Sequence, residues 1–574
     1  MRSTATVAGA PAATLEELLG DPYDAGNPCG HAAVLAADER REPLAAAERV
    51  LDGWRLNAEF VPVALGGRLD RVQDLITRLR PVFRRDPALG LGYGVTSFMA
   101  AANVWLAGND LQRRRVADLL LRGERLSVAY HELAHGNDLM RNELAARPDG
   151  DRFVVSGRKE VINNASRAAG AVLFARTGDR PGRTHSLMLV ETGSLPADRW
   201  EVLPRFRTGG MRGCLISGFA FDDCPVPATG LLGGLGEGPE TALRSFQVSR
   251  CVTAGLGLGA VDAALACVLR FARGRHLYGR TVADIPHARD VLAGVFADLL
   301  AADCLVTTVA RSLHLLPVHA SRYAAAVKYL VPLLLEDAMR SLGVVLGARG
   351  YLREGEHAIF SKLTRDLPVL GIGHAGGTAC QLTILPQLPG VARAAHSSAE
   401  APAAVFRRGD PVPPLDLGAL RMMGHGDDPL IGSLLAAADD RTSPDLRELA
   451  GIFRADLFDL ARKIAALPPA ERGVQASAPA FRLTERYALL LAASACLNTR
   501  RHHDGDPFLG GDDWLRAALS RLAVRLARAN TSRPHSPEAH GRDMTAPLFT
   551  ELLRRADAGL GFCADVEPVS RPLS

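Results

Sequence analysis

The stretch Leu126–Ala165, LSVAYHELAHGNDLMRNELAARPDGDRFVVSGRKEVINNA, changes the period of the chain. Upstream, apolar residues recur at helical spacing. Within it, Arg152 to Ile162 (RFVVSGRKEVI) alternates after the turn pair Asp149-Gly150, which predicts a strand entered from a hairpin. The same stretch gathers His131, Glu132, His135, Asp138, Lys159 and Asn163, a density of polar side chains that suits a ligand-facing wall better than a core.

Working outward, residues 1–124 read as a helical domain. Leu15–Leu19, His31–Leu51, Leu69–Phe83 and Leu91–Leu106 carry helical apolar spacing, and Asn109-Asp110 can cap the next helix. Residues 125–235 read as a small β-barrel or sandwich, with strands at Ala171–Ala175, His185–Glu191 and Ile216–Phe221 besides the one above. Residues 236–385 predict a helical bundle from Glu240–Arg273, His287–Leu315 and Arg322–Leu346. A Pro- and Ala-rich linker or strap, 386–415, precedes an additional helical domain, 416–574, with helices at Asp445–Ala466, Thr484–Ala495, Asp512–Ala529 and Ser536–Leu553. The fold class is therefore α+β, mainly α.

Composition narrows the function classes. A net charge of +4 over 574 residues gives no signal for nucleic acid. Positive charge is almost all arginine, the lysines being Lys159, Lys328, Lys362 and Lys463. The nine cysteines are scattered and never form C-x-x-C, which argues against a disulfide framework or zinc site and for a reducing, cytoplasmic setting. No signal-peptide pattern opens the sequence, and apolar runs such as Tyr487–Leu497 are too short to span a bilayer. His131 and His135 stand four apart, but no cluster has metal-ligand spacing.

The order of the motifs resembles the acyl-CoA dehydrogenase and acyl-CoA oxidase flavoproteins over about residues 40–385. His131-Glu132-Leu133-Ala134-His135-Gly136-Asn137-Asp138 is similar to the family's T-E-P-G-x-G-S-D segment, and Gly157-Arg158-Lys159-Glu160-Val161-Ile162-Asn163-Asn164 to its G-x-K-x-W-I-T-N. FDDCPVPATGLLG from Phe221 resembles the exit from the β domain, and Arg275-His276-Leu277-Tyr278-Gly279 resembles R-x-x-F-G. LGARGY (Leu346–Tyr351) is like G-G-x-G-F, Arg365-Asp366 like R-D, and Gly377-Thr378 like the end of E-G-T. The resemblance implies FAD as cofactor, held by His131, Gly136, Asn137, Val161, Asn163, Arg275, Tyr278, Gly347, Gly377 and Thr378. It implies an acyl thioester on CoA or an acyl carrier protein as substrate, with Ser249 and Arg250 on the substrate side. It also implies a homo-oligomer, because Arg275 would reach a neighbouring subunit's FAD pyrophosphate. A dimer is expected over a tetramer, with residues 416–574 covering the second bundle face.

The family's reaction needs a carboxylate to take the substrate α-proton. The E-G-T register places Gly376 there, and counting from Arg365-Asp366 places His374. The alternative base position, before an arginine on the first bundle helix, is Ser249. His374 is the candidate substitute base, since an unperturbed imidazole titrates at about pH 6.5. It stands against the reading that the loop histidine has no chemical role. Val161 stands where the family has tryptophan, Asn163 where it has threonine, and His131 where it has a small hydroxyl residue. Three readings follow: an acyl thioester dehydrogenase of specialised metabolism, a flavin-dependent monooxygenase or oxidase on the same fold, and a non-redox protein that has lost the flavin.

Overall fold

A computed structural model describes residues 13–373, 376–397, 399–424, 426–438, 443–530, 545–565 and 568–569. These form two compact units. The first comprises the chain to Ser249 with Leu415–Gly418, and the second Arg250–Pro414 with the chain from Ala419 onward.

In the first unit, helices precede a mixed sheet. The helix expected over His31–Leu51 is two, His31–Arg40 and Ala45–Gly53, because Arg41 is left-handed (φ 59°) and Pro43 follows it. The apolar segment from Leu91 begins as a π-helix, Leu91–Val95, and continues as an α-helix, Thr96–Ala107. The sheet has eight strands: β1 Leu126–Ala129, β2 Ala145–Asp149, β3 Arg152–Asn163, β4 Gly170–Arg176, β5 His185–Glu191, β6 Trp200–Leu203, β7 Ile216–Pro227 and β8 Leu231–Leu232. Their order is β6-β7-β3-β2-β4-β5-β8, and β1 adds to β4 in parallel. Leu144, Phe153, Val155, Ile162, Leu173, Met188, Val190, Phe219 and Val226 form the core on one face of the sheet.

One irregularity in β3 decides which residues face out. Glu160 pairs with Gly218 and Ile162 with Ser217, so Val161 is an extra residue, a β-bulge. The bulge shifts the alternation by one. Ile162 turns into the core, and Val161 is left outside.

The second unit is helical. Pro286–Leu315 and Ala320–Leu346 lie antiparallel, and the remainder of Gly238–Gly274 meets both, Cys251 at the Val306 carbonyl and Gly257 at Leu335. Gly238–Gly274 and Pro286–Leu315 are each long and apolar enough to cross a membrane, contrary to the length expectation above. In both, 94% of the most apolar window is buried in the protein, which makes them core helices. A helix apolar on all sides needs partners on all sides. Ala478–Arg501, Asp512–Ala529 and Thr545–Asp557 supply them for Pro286–Leu315, so the C-terminal helices share the bundle's core rather than forming a body of their own. Buried Asp298 accepts from both Arg521 (2.8 and 2.5 Å) and Arg525 (3.1 and 3.2 Å) across that junction. The first part of the expected Ser536–Leu553 helix lies outside the described residues.

The strap after residue 386 is pinned down. Arg311 donates to the carbonyls of Ala404, Arg408 and Asp410, and His314 Nδ1 lies 2.8 Å from that of Pro413. All nine cysteines are buried and free.

Candidate functional site

The opening stretch forms a wall in the first unit whose buried side is a polar knot. Lys159 Nζ donates to Glu132 Oε1 (2.7 Å) and to the Tyr130 carbonyl (3.3 Å). Glu132 also accepts from the amides of Glu143 (2.8 Å) and Leu144 (3.1 Å). Burial opposes both charges. It wins at Lys159, lowering its pKa to about 8 against the pull of Glu132. At Glu132 the lysine and the two amides outweigh burial and hold the carboxyl below its ordinary value. Tyr130 closes the knot, its hydroxyl donating to Asn103 Oδ1 (2.8 Å), which also accepts from Ser245. Glu132 and Lys159 are therefore structural, spanning the loop after β1 and strand β3. Asn164, left-handed at φ 63° and fully buried, accepts from Arg167 Nε and is structural as well.

The outer side of the wall is different. His131 and Glu160 are joined backbone to backbone (3.0 Å), and His131 Nδ1 lies 3.2 Å from the Glu160 carbonyl. The Leu133 amide donates to the Glu160 carboxylate (3.1 Å). These bonds zip the His131 segment to the bulge. Val161 sits there at φ 59°, a conformation costly for a β-branched residue, with 38% of its surface exposed. Leu133 and Met140 are exposed apolar side chains of the same stretch. Gly136 and Asn137 lie on the loop between them, Gly136 left-handed and Asn137 exposed.

Asn163 does not offer its donors outward. Its amide nitrogen donates to the Leu91 carbonyl (2.9 Å) and Thr96 Oγ1 (2.8 Å). The π-helix frees that carbonyl, because its i→i+5 pattern displaces the usual ladder. Arg167 takes the neighbouring Gly92 carbonyl (2.7 Å). As a hydrogen-bond donor to a flavin, Asn163 is thus corrected to an anchor for the end of β3. The π-helix and Arg167 are what sequence reading missed. Gly92 and Gly94 inside an otherwise apolar helix were the available signal.

The second unit holds an open pocket of about 630 Å³ lined by Arg270, Arg273, Arg275, Arg349, Phe271 and His357, with Glu356 and Gly274. Arg270 is paired with Glu356 and Arg273 with Asp557. Among the described residues no carboxylate lies within ion-pair distance of Arg275 or Arg349, and both are exposed. Phe271 meets His357 edge-on, and burial lowers the His357 pKa. Arg349 and His357 escaped sequence reading, although Arg349 lies within LGARGY.

Local structure explains these exposures. His276–Leu277 pairs with Arg280–Thr281, and Tyr278 and Gly279 are both left-handed, the signature of a two-residue type I′ turn. Tyr278 is 92% exposed at its tip. Gly347 ends the helix Ala320–Leu346 at φ 58°, ψ −140°, a region only glycine occupies freely.

Gly377 begins the helix Gly377–Ile384, and Thr378 is exposed in its first turn. Arg250, nearly fully buried, donates to Thr383 Oγ1 (3.4 Å) on that helix. Ser249 bonds back to the Phe246 carbonyl (3.3 Å) and is equally buried. His374 lies outside the described residues. The segment before it is held by Lys328, whose Nζ donates to the Leu370 carbonyl. Among the described residues, no group of three His, Cys, Asp or Glu could hold a metal.

Comparison with known proteins follows these two regions. Residues 127–224 match the acyl-CoA dehydrogenase middle domain, and residues 236–387 its C-terminal domain. Bovine mitochondrial isovaleryl-CoA dehydrogenase is 26% identical over 265 residues, 44% of this chain and 59% of that protein. The chain thus spans about three-fifths of that relative. The 3-(aryl)acrylate reductase of Clostridium sporogenes is 25% identical over 332 residues, 57% of this chain and 86% of that enzyme. An acyl-CoA dehydrogenase of Bacillus anthracis, solved with FAD, superposes with a TM-score of 0.67 at 15% identity, covering 90% of this chain and 92% of that one. The prolyl acyl carrier protein oxidase AnaB gives a TM-score of 0.56 at 18% identity, covering 61% and 92%. The two structural likenesses establish the fold.

Proposed function

Because the chain belongs to the acyl-CoA dehydrogenase superfamily through its middle and C-terminal domains, we propose that it is an FAD-dependent oxidoreductase acting on an acyl thioester. The carrier is CoA or a carrier protein, and the setting is specialised metabolism. The observation that carries this reading is the pocket around Arg275 and Arg349, two exposed guanidiniums with no carboxylate within ion-pair distance among the described residues, each close in sequence to a glycine at positive φ, Gly279 and Gly347. A guanidinium offers fixed paired donors to phosphate oxygens, and a chain turn without a side chain allows close approach. The residues therefore fit the pyrophosphate half of FAD.

Taken by itself, the wall of the first unit suits a flavin ring in part. Val161 and Leu133 offer exposed apolar surface, and His131 is held beside them. Asn163 gives no donor there, so polar contacts must come from backbone or His131. Bound FAD would supply the acceptor for a substrate hydride. This chain's own part in the chemistry is to hold the thioester and take its α-proton, for which His374 is the candidate. Lys328 and the Arg250–Thr383 bond fix the elements on either side of that residue. Arg275 serving a neighbour's cofactor would make the protein a homodimer, and its scattered free cysteines suit the cytoplasm.

Absorbance of the purified protein tests the reading. A flavin spectrum that bleaches on anaerobic addition of an acyl thioester supports it, and a protein that stays colourless after FAD is supplied overturns it. A second reading, a flavin-dependent oxidase or monooxygenase, is favoured by the lack of a carboxylate at Gly376 and Ser249. It is distinguished by turnover that requires oxygen and by no bleaching with thioester alone.

A further inference from the structure

The first unit has a second arginine-lined hollow, made of residues outside every motif above. It measures about 360 Å³ and is lined by Arg40, Arg41, Arg205, Phe206, Arg207, Thr208 and Arg212. Five guanidiniums face one cavity, and carboxylates answer only two of them. Glu42 lies 2.8 Å from Arg40, and Asp38 lies 3.8 Å from Arg212. Among the described residues no carboxylate lies within ion-pair distance of Arg41, Arg205 or Arg207. The carbonyl end of the helix His31–Arg40 accounts for Arg40 and Arg41 as ordinary helix-end cations. It does not account for the three on the loop between β6 and β7.

That loop is built rather than loose. Arg205 Nη2 donates to the carbonyls of Arg212 (2.6 Å) and Cys214 (2.8 Å), which fixes its plane. The Phe206 amide donates to the Ile216 carbonyl (2.8 Å), and Met211 is buried in a left-handed conformation. Cys214 Sγ reaches the Ala88 carbonyl (3.4 Å). Gly213 passes so close to the helix end that a Cβ there would stand 3.2 Å from the Glu42 carbonyl oxygen. The two segments are thus held against each other, with like charges facing across the hollow. Such an arrangement is repulsive unless an anion sits in it.

We propose that this hollow binds a phosphate-bearing small molecule. Fixed guanidiniums and the Thr208 hydroxyl match phosphate oxygens, and the excess of three cations matches a group carrying two or more negative charges. A concave site of this volume takes a phosphorylated small molecule in preference to the convex acidic face of a protein. The source is either the phosphorylated nucleotide end of a carrier or a free phosphate anion. The proposal is independent of the flavin reading, because none of these residues was assigned to cofactor or substrate.

Titration calorimetry of the full-length protein at low salt tests it, with adenosine 3′,5′-bisphosphate, pyrophosphate and inorganic phosphate as probes. Arg41→Gln with Arg207→Gln removes two side chains that carry no described hydrogen bond and relieves repulsion between like charges, so unfolding temperature should not fall. Saturable binding that weakens about tenfold or more in this double variant, but not in Arg275→Gln, is the expected result. Tighter binding of the bisphosphate than of pyrophosphate assigns the nucleotide source, and equal binding assigns a simple anion. No saturable binding of any probe, or binding indifferent to the double variant, overturns the proposal. So does binding of polyglutamate without binding of phosphate, which would make the hollow a protein-docking surface.

Discussion

The wall of the first unit and the pocket of the second answer the same family motifs in opposite ways. On the wall, the residues that match the motif most closely, Glu132, Lys159 and Asn164, are buried and satisfied inside the fold. Of the three that depart from it, His131 and Val161 lie on the outer side and Asn163 turns inward. In the second unit, matching and exposure coincide: Arg275 in the pocket and Gly347 at the end of Ala320–Leu346 keep the pattern and face solvent. A motif match therefore means two different things in one chain. Where the matched group is ionised and buried with its partner, the motif specifies the fold. Where it is ionised and exposed without one, the fold does not use its charge, and the proposed role is to meet a ligand.

That contrast can be broken at several points. The largest effect is expected from Lys159→Met, which leaves the Glu132 carboxylate buried and unpaired. Loss of about 3–5 kcal/mol in chemical denaturation is expected, and a loss below about 1 kcal/mol would mean that the knot does not hold the wall. Next, Arg275→Gln should weaken FAD binding by about ten- to a hundredfold, as expected for a charged hydrogen bond worth about 1.5–3 kcal/mol. Its unfolding temperature without flavin should not move.

A buried lysine in the second unit sharpens the comparison. Lys328 is fully buried with a carbonyl for partner, and among the described residues no carboxylate lies within ion-pair distance. Burial lowers its pKa from 10.5 to about 8. Below pH 8 the folded protein holds that proton at a cost. Between pH 8 and 10.5 the unfolded chain binds more protons, so this group's contribution to stability rises with pH across that window. Lys328→Met should therefore be more stable than the parent at pH 7 by about 1–2 kcal/mol, after loss of the Leu370 bond is set against it. The advantage should shrink as pH rises through the window. Urea unfolding at pH 7 and pH 10 reads both arms, and a variant less stable at pH 7 would contradict the assignment. The smallest effect belongs to Val161→Gly. Relief of the left-handed valine should stabilise by about 0.5–1 kcal/mol net of glycine's chain entropy. Flavin affinity should fall by less than in Arg275→Gln, since only ring contact is lost.

Much of the fold was legible because period and punctuation are local. Leu15–Leu19, His185–Glu191 and Asp512–Ala529 fall where spacing put them. The break at Arg41 was signalled by Pro43 but hidden by a continuing apolar pattern. The parallel pairing of β1 with β4 depends on partners more than 40 residues apart in number and leaves no local trace. Nor does the sharing of one core by the bundle and the C-terminal helices, because an all-apolar helix does not say what covers it. Motif position singled out Arg275, Gly347 and Val161, which the fold leaves exposed. It could not show that Asn163 turns inward, since that follows from a π-helix some 70 residues earlier. Arg349 lies inside a motif as one of its variable residues, and the hollow around Arg207 belongs to none, so both became visible only when separate segments met in space.

The central claim is the proposed one, that the protein binds FAD and that an acyl thioester reduces it. The most direct measurement is the visible spectrum of the purified protein, with the supernatant after denaturation assayed for FAD. The expected result is about one FAD per chain, released intact and reducible by an acyl thioester without oxygen. A protein free of flavin, and still colourless after incubation with excess FAD, would contradict it.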